Sequence, residues 1–524
     1  MGACTQQSSG FSTGLAVGLL AAWIVFGLIG HEPWKPDEAY TFGLVWHILE
    51  RGEWLVPTLG GEPFVEKPPL FFWTAAFFAK AFDWALPPHD AARLASGFYV
   101  ALTLWFTYLA SGKRIAAPLL LAGSLGYLQH AHQLITDNAL LAGIAIGVYA
   151  LAAKNGWLLG TGAGIAFLSK GLLGPGLLGI SALALLAFPG WRERRYFVGL
   201  GWAALAFAPW ALIWPALLHA RSPALFQEWF WVNNFGRFSG SAGLGGVLDH
   251  WLYLKALPWF ALPTVLLAAW TAWRAWREPS ELRRPDFQMP ATVFLVMLVV
   301  LSSASSARTV YGLPLLVPLA LLGAAGLGSL PERLRAGLEH VGLWGGILMV
   351  VTLWGAWLAL LIGWPHALAA RLAAFSPDYT PHVAAVPFLF AVAASSGWLF
   401  VLLVTPRDAL RMPIIWTAGI AAAWGLAMTL WLPFLDEVKS YRSVATAMQA
   451  AVPEGECIAG RNLTEPQRAM FHYYSGVIAG RECPLLLVHS GTLAAPALGR
   501  GWTLLWRGTR PGDDKEFFWL FSSK

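Results

Sequence analysis

Apolar residues run along this chain in long blocks, and polar residues are confined to the short gaps between them. A helix that crosses a bilayer needs about 20 mostly apolar residues. Blocks of that kind centre near residues 22, 102, 122, 145, 163, 180, 206, 263, 297, 320, 351, 395 and 422. They predict about thirteen spans, with those around 115–170 the shortest. Two amphipathic stretches in the first gap are too short to cross. "TFGLVWHILERGEW" has apolar positions at helical spacing and ends at Gly52. "PPLFFWTAAFFAKAF" opens on Pro68 and Pro69, residues favoured at a helix start. Both read as helices lying in the membrane interface. After residue 435 the pattern turns more polar. "YRSVATAMQAAV" (441–452) reads as a helix, and "CPLLLV" (483–488) and "GWTLLWRG" (501–508) read as strands. The expected architecture is an all-α polytopic membrane protein over 1–435, followed by a small α/β domain over 436–524.

Composition agrees. The chain has 524 residues, 57% hydrophobic and 12% charged, half the charge of an average soluble domain, about 25%. Its 30 Trp and 31 Phe suit the aromatic belts of bilayer interfaces. The net charge of +6 is spread over short loops rather than gathered in one block, so it argues for membrane topology and against a nucleic-acid partner. With the N-terminus cytoplasmic and residues 14–30 a retained first span, "GKR" (112–114), Lys154, "WRERR" (191–195), "RAWREPSELRR" (274–284), "ERLR" (332–335) and "PRDALR" (406–411) fall on the cytoplasmic side. That leaves the C-terminal domain periplasmic. An outer compartment permits a disulfide between Cys457 and Cys483, with two buried thiols as the alternative. "HAHQ" (130–133) lacks zinc-ligand partners at useful spacing and reads as interfacial. Walker A, GxGxxG and HExxH patterns are all missing.

The uncommon polar residues collect in the loops of the opposite face. Asp37 and Glu38 follow the first span directly. A carboxylate there can take a proton from an attacking hydroxyl, and Asp37 can equally cap the following helix. "FVEKPPL" supplies Glu66, a candidate metal ligand, and Lys67, a candidate phosphate ligand, or else an interfacial ion pair. Lys170 sits between two apolar runs, where an ammonium costs several kcal/mol unless hydrated or paired. "NNFGRF" brings Asn233, Asn234 and Arg237, "SSARTVYGLP" brings Arg308 and Tyr311, and "LITDNAL" brings Asp137, which can also be a helix cap. Each alone passes for an ordinary loop residue. Together, four cations (Lys67, Lys170, Arg237 and Arg308) on the face of the Asp-Glu pair describe a site for an anionic group such as phosphate.

The stretch from "PDEAYTFGLVWHILERGEWLVP" through "GGEPFVEKPPLFFW" resembles the first outer loop of bacterial membrane glycosyltransferases, the aminoarabinose-transferase and protein O-mannosyltransferase group of the GT-C superfamily. The shared order is Asp-Glu, then G-x-W-x-x-P, then G-x-P-x-x-E-K-P-P. "FLSKG", "NNFGRF" and R-x-x-Y-x-L-P follow in their expected places. The resemblance implies a GT-C fold of about thirteen helices with two interfacial helices. It implies a sugar donor on a polyprenyl phosphate such as undecaprenyl phosphate, inversion at the anomeric carbon, and a lipid, glycan or protein acceptor at the inner membrane. It makes Asp37 the catalytic carboxylate, with Glu38 beside it. It assigns Lys67, Lys170 and Arg237 to the donor phosphate, Arg308 and Tyr311 to a loop closing over it, and Glu66 to a position that can hold a divalent metal. Three positions depart from the pattern. Tyr40 stands where many relatives have arginine, Asn233-Asn234 where aminoarabinose transferases have Glu-His, and Phe64 where tyrosine is common. Against this stands a transporter or flippase. It would need internal repeats and broken helices at mid-membrane, and no clear repeat is visible.

Overall fold

The computed structural model describes residues 10–241, 248–377, 379–480, 482–513 and 515–523. Each of the thirteen apolar centres falls on a helix or at the break between two. By length and apolar composition, six helices among the described residues can cross a membrane, or up to eight if each of two bent pairs is one span. The expected count is higher because several apolar blocks fold into short helices. Gly10–Val25, Gly156–Lys170 and Leu173–Ala184 stop at 16, 15 and 12 residues. The block near 122 is split into Ala116–Ala122 and Leu125–Ala131, and that near 263 bends by 108° between Leu252–Phe260 and Thr264–Arg277. His130 and His132 are buried in the bundle, bonded to the carbonyl oxygens of Gly126 and Trp23 at 2.9 and 2.7 Å.

Glycines set the closest packing. Gly156, Gly160 and Gly164 recur every fourth residue and lie against Arg194–Arg221. A Cβ at Gly160 would stand 2.2 Å from the Ala203 carbonyl oxygen, and one at Gly156 2.0 Å from that of Gly199. On another face of the same helix, Gly162 meets Gly143 of Thr136–Ala153 backbone to backbone. Small residues at such spacing allow helices to approach closely where lipid offers no hydrophobic drive. The Gly156–Lys170 helix is thereby fixed on two sides, and Lys170 is its last residue.

The first loop contains the two expected short helices, Asp37–Arg51 and Leu70–Ala81, joined through a two-stranded ribbon, Thr58–Leu59 with Glu62–Pro63. Gly52 ends the first helix in the left-handed conformation, φ 68°, as a glycine C-cap does. The helix is anchored at its start by a buried ion pair. Arg93, fully buried, donates from Nε to Glu38 at 2.6 Å and from its other nitrogens to Asp90 and to the carbonyls of Leu28 and His31. Glu38 also accepts from the amides of Trp34 and Leu134, each at 3.1 Å. Burial alone would raise the Glu38 carboxyl. The Arg93 and His31 charges and these hydrogen bonds outweigh it and hold the group below the usual carboxylate range.

The C-terminal region is α/β, as the pattern predicts. Its five-stranded sheet runs Ile478–Ala479, Ile458–Arg461, Leu485–Ser490, Phe517–Ser522, Thr503–Thr509, parallel across the first three and antiparallel across the rest. Arg442–Gln449 and Glu465–Ser475 are its helices, the second opened by a Thr464/Gln467 capping box. Cys457 and Cys483 form a disulfide, with Cα atoms 5.5 Å apart. The region seats on the first loop. Gly43 leaves room for Ala469, the rings of Phe42 and Tyr473 meet edge to face at 4.8 Å, and the Ala479 amide donates to the Gly60 carbonyl at 3.3 Å.

Truncating Arg93 leaves Glu38 buried without its cation, which costs about 3–5 kcal/mol. Arg93→Ala is therefore expected to lower the unfolding midpoint of the detergent-solubilised protein more than any single exposed-loop substitution does.

Candidate active site

Four segments far apart in sequence converge at the end of the bundle that carries the first loop. Glu66 and Lys67 come from the turn after the ribbon, Lys170 from a helix end, Asn233 and Asn234 from a π-helical stretch with Arg237 just after it, and Tyr311 from a 3-10 turn. They line a cavity of ≈ 250 Å³ whose remaining wall is mostly apolar, including Leu172, Phe235, Phe238 and Leu301. Two roomier clefts lie elsewhere, ≈ 500 Å³ beside Glu32, His89 and Asp90 and ≈ 510 Å³ beside His47, Arg51 and Arg221. Neither is lined by Lys67, Lys170 or Arg237, so the smaller cavity is where cationic and greasy surfaces meet.

Local geometry explains each placement. Lysine at a helix C-terminus faces the negative end of the helix dipole. Gly171, φ +70°, then turns the chain, and a Cβ there would fall 2.2 Å from the Asn234 side-chain oxygen, Oδ1. That oxygen accepts from the Leu172 amide at 2.9 Å. Asn234 and Asn233 also donate to the carbonyls of Trp229 and Glu228, five residues back, at 2.7 and 3.4 Å. The two asparagines brace the widened turns of Glu228–Gly236, a geometry that recurs at functional sites. Arg237 follows immediately.

Every cation here has a partner. Arg237 donates to Glu66 at 2.6 Å. Lys67 donates to the Tyr40 hydroxyl, lies 3.8 Å from Glu66 and sits 4.7 Å from the Tyr40 ring centroid. Lys170 pairs with Asp137 and packs 4.4 Å over the Tyr311 ring. Arg308 pairs with Asp37 at 2.9 Å and lies 5.9 Å from the Tyr311 ring. Asp37 and Asp137 are thus not side-chain caps. Asp37 is the first residue of its helix after Pro36, and no side-chain cap is made at either helix start. Tyr40, at the arginine position of many relatives, buries the Lys67 ammonium instead of adding a charge. Burial works against that ammonium, but Tyr40, Glu66, Asp37 and Asp137 outweigh it and hold it above its usual range.

Two sequence expectations change. Glu38, grouped with Asp37 as catalytic, is buried with both oxygens taken by Arg93, Leu134 and Trp34. It holds the loop; like Asp37, Asp137 and Arg308, it does not line the cavity. Glu66, read as a metal-binding position, is occupied by Arg237 and flanked by Lys67, with amides where a histidine would be needed. Among the described residues no group of three His, Cys, Asp or Glu gathers to hold a metal. The residues present do not fit a divalent cation at Glu66. Arg93 and Tyr253, which also lines the cavity, were not singled out from the sequence. The Asp90-x-x-Arg93 spacing inside an apolar block was the available signal for Arg93.

No protein-family model matches the chain. The undecaprenyl phosphate-alpha-4-amino-4-deoxy-L-arabinose arabinosyl transferase of Pseudomonas aeruginosa (strain LESB58) is 31% identical over 446 residues, 79% of this chain and 74% of that one. The chain belongs to this arabinosyl transferase family. Arabinosyl transferase 1 of Pseudomonas fluorescens (strain Pf0-1) is 29% identical over 370 residues, 64% of this chain and 62% of the relative. Among solved structures, ArnT from Cupriavidus metallidurans, bound to undecaprenyl phosphate, matches with a TM-score of 0.66 at 17% identity over 98% of both chains. Its apo state matches equally. The arabinosyl transferase fold is GT-C, and this chain is a membrane glycosyltransferase of that fold.

The ion pairs around this cavity give it a definite pH response. Burial would raise the Glu66 carboxyl, but Lys67, Arg237 and Lys170 hold it down to about 2, against an ordinary 4.5. A depressed carboxylate contributes stability that is complete above its unfolded value and lost as pH falls toward the folded one. Glu66→Gln is therefore expected to lower the melting temperature by a constant amount above about pH 5, with the difference from wild type shrinking below about pH 4.

Proposed function

We propose that the chain transfers a sugar, pentose or hexose, from a polyprenyl-phosphate donor to an acceptor hydroxyl on a lipid, glycan or protein, with inversion. The observation that carries this is the joining of Lys67, Lys170 and Arg237 around one cavity that also has a broad apolar wall. A prenyl-phosphate sugar is an anion on a greasy tail and matches both surfaces. The setting is the outer face of the bacterial inner membrane, with the N-terminus cytoplasmic and the C-terminal domain, residues 436–524, periplasmic.

In this reading the acceptor oxygen attacks the anomeric carbon from the face opposite the phosphate. The carbon–oxygen bond to phosphate breaks, and the phosphate leaves with the electron pair. Lys67, Lys170 and Arg237 neutralise the charge that develops on it. The acceptor proton passes to Asp37. Arg308 holds Asp37 when no donor is present, and its guanidinium occupies the carboxylate. The donor phosphate competes for Arg308, and Tyr311, which lies against both Lys170 and Arg308, moves with it. Donor binding thus frees the base. Glu38 acts only by holding the helix that bears Asp37.

Asp37→Asn is expected to reduce transfer by about 10²–10⁴-fold while undecaprenyl phosphate still binds, as followed by radiolabel transfer and lipid binding in membranes. Unchanged transfer removes Asp37 from the chemistry and favours an acceptor needing no base. Lys170→Ala removes one charge-assisted contact and is expected to weaken undecaprenyl phosphate binding by roughly tenfold or more. Movement of unaltered donor across vesicles, without transfer, indicates a flippase instead.

A further inference from the structure

Residues 32–35, which lead into Asp37, are held by the chain beyond residue 435. Glu32 accepts from Arg442 at 2.5 Å and from the Tyr474 hydroxyl at 2.6 Å. The Trp34 indole donates to Asp436 at 2.7 Å, and the Lys439 ammonium stands 4.8 Å over its ring. The Lys35 amide donates to the Lys439 carbonyl at 3.2 Å, and the Lys35 ammonium reaches Asp513 at 2.5 Å and Glu516 at 3.3 Å. Those two acids are themselves fixed. Arg510 donates to Glu516 at 2.6 Å and to Asp513 at 2.7 Å, while Tyr441 and Gln467 donate to the other Glu516 oxygen at 2.8 and 3.0 Å.

Asp37 therefore lies between two grips. One belongs to the bundle, through Glu38 and Arg93. The other belongs to the C-terminal region, through Lys35. We infer that the C-terminal region acts in the transfer reaction by positioning Asp37, with Lys35 as the positioning residue and Asp513 and Glu516 as its anchor. The inference rests on the proposed role of Asp37.

The alternative is a tie that only docks the region. The dock has other means: the Phe42–Tyr473 and Gly43–Ala469 contacts and the Arg468–Glu62 pair. Lys35 and Asp513 are partly exposed, and pairs of that kind add little to stability. What the tie does fix is the path of the chain two residues before the carboxylate. Catalytic geometry is sensitive on that scale, since a misplacement of about 1 Å can cost roughly 10²-fold in rate. Asp513 is also suited to a permanent grip. Burial would raise its carboxyl, but the hydrogen bonds and charges of Lys35 and Arg510 and the Lys515 amide hold it down to about 2, so it stays ionised at any physiological pH.

The test uses the full chain in lipid nanodiscs, with undecaprenyl-phosphate aminoarabinose as donor and undecaprenyl phosphate as the binding probe. Lys35→Ala is expected to lower kcat by about tenfold or more, with donor KM and undecaprenyl phosphate affinity within about twofold of wild type. Amide exchange over residues 34–42 should quicken, while that around Lys170 stays unchanged. Lys35→Arg, which keeps the cation, should recover most of kcat. A Lys35→Ala kcat within about twofold of wild type, or kcat and lipid affinity falling together, overturns the inference. If the wild type binds undecaprenyl phosphate but transfers nothing from this donor, the reading of the reaction fails for this sugar. The exchange comparison then still decides on the grip: unchanged exchange over 34–42 in Lys35→Ala overturns it.

Discussion

A guanidinium sealed from solvent organises this molecule. Arg93 is fully buried, and a bare buried charge costs several kcal/mol or more. The chain around it supplies two carboxylates and two carbonyls. Meeting that demand draws the end of the first apolar helix, the start of the loop helix and the helix bearing Arg93 to one point. The Leu134 amide, just ahead of the Thr136–Ala153 helix, joins through Glu38. The loop helix then has a defined origin, and Asp37 a defined place at its first turn. A pair of well-packed apolar residues could be as stable. It would not specify which loop conformation faces the cavity, whereas directional hydrogen bonds do.

The fold was largely legible because its dominant signals are blunt. Apolar blocks, the Gly52 helix stop, the Pro68-Pro69 start and the change of pattern after 435 each have one strong physical cause. The candidate site was legible as a set of residues, because cations at the edge of apolar blocks are too costly to be incidental. Partnership was not legible. That Arg237 would choose Glu66, and Arg308 Asp37, depends on how segments more than a hundred residues apart meet. Glu38 shows the same limit. Beside Asp37 in sequence it reads as a second catalytic carboxylate, but helical geometry turns adjacent residues about 100° apart. One faces Arg308 and the other faces Arg93. The two asparagines line the cavity, and their amides also bond the backbone of the stretch that carries them.

Charge compensation gives the site its resting character. Asp37, Glu66 and Asp137 each neutralise a cation that the mechanism assigns to phosphate. An array of unpaired cations in a low-dielectric cleft would strain the fold and attract any anion. Paired cations bind only an anion that can displace or share the carboxylates, and such an anion must also bring apolar surface for the rest of the cavity. In the proposed reading, that double requirement selects a lipid-linked phosphate over free phosphate.

The glycine row at 156, 160 and 164 carries a mechanical consequence. Gly156 and Gly160 put two backbones in contact and Gly164 takes the Trp210 ring, so rolling or sliding of the Lys170 helix against its neighbour meets steric collision. Arg237 and Arg308, by contrast, hang from a widened helical stretch and an irregular turn, where small torsional adjustments are cheap. In the proposed reading a lipid-linked donor therefore meets one surface set by backbone packing and an opposing one set by side-chain ion pairs.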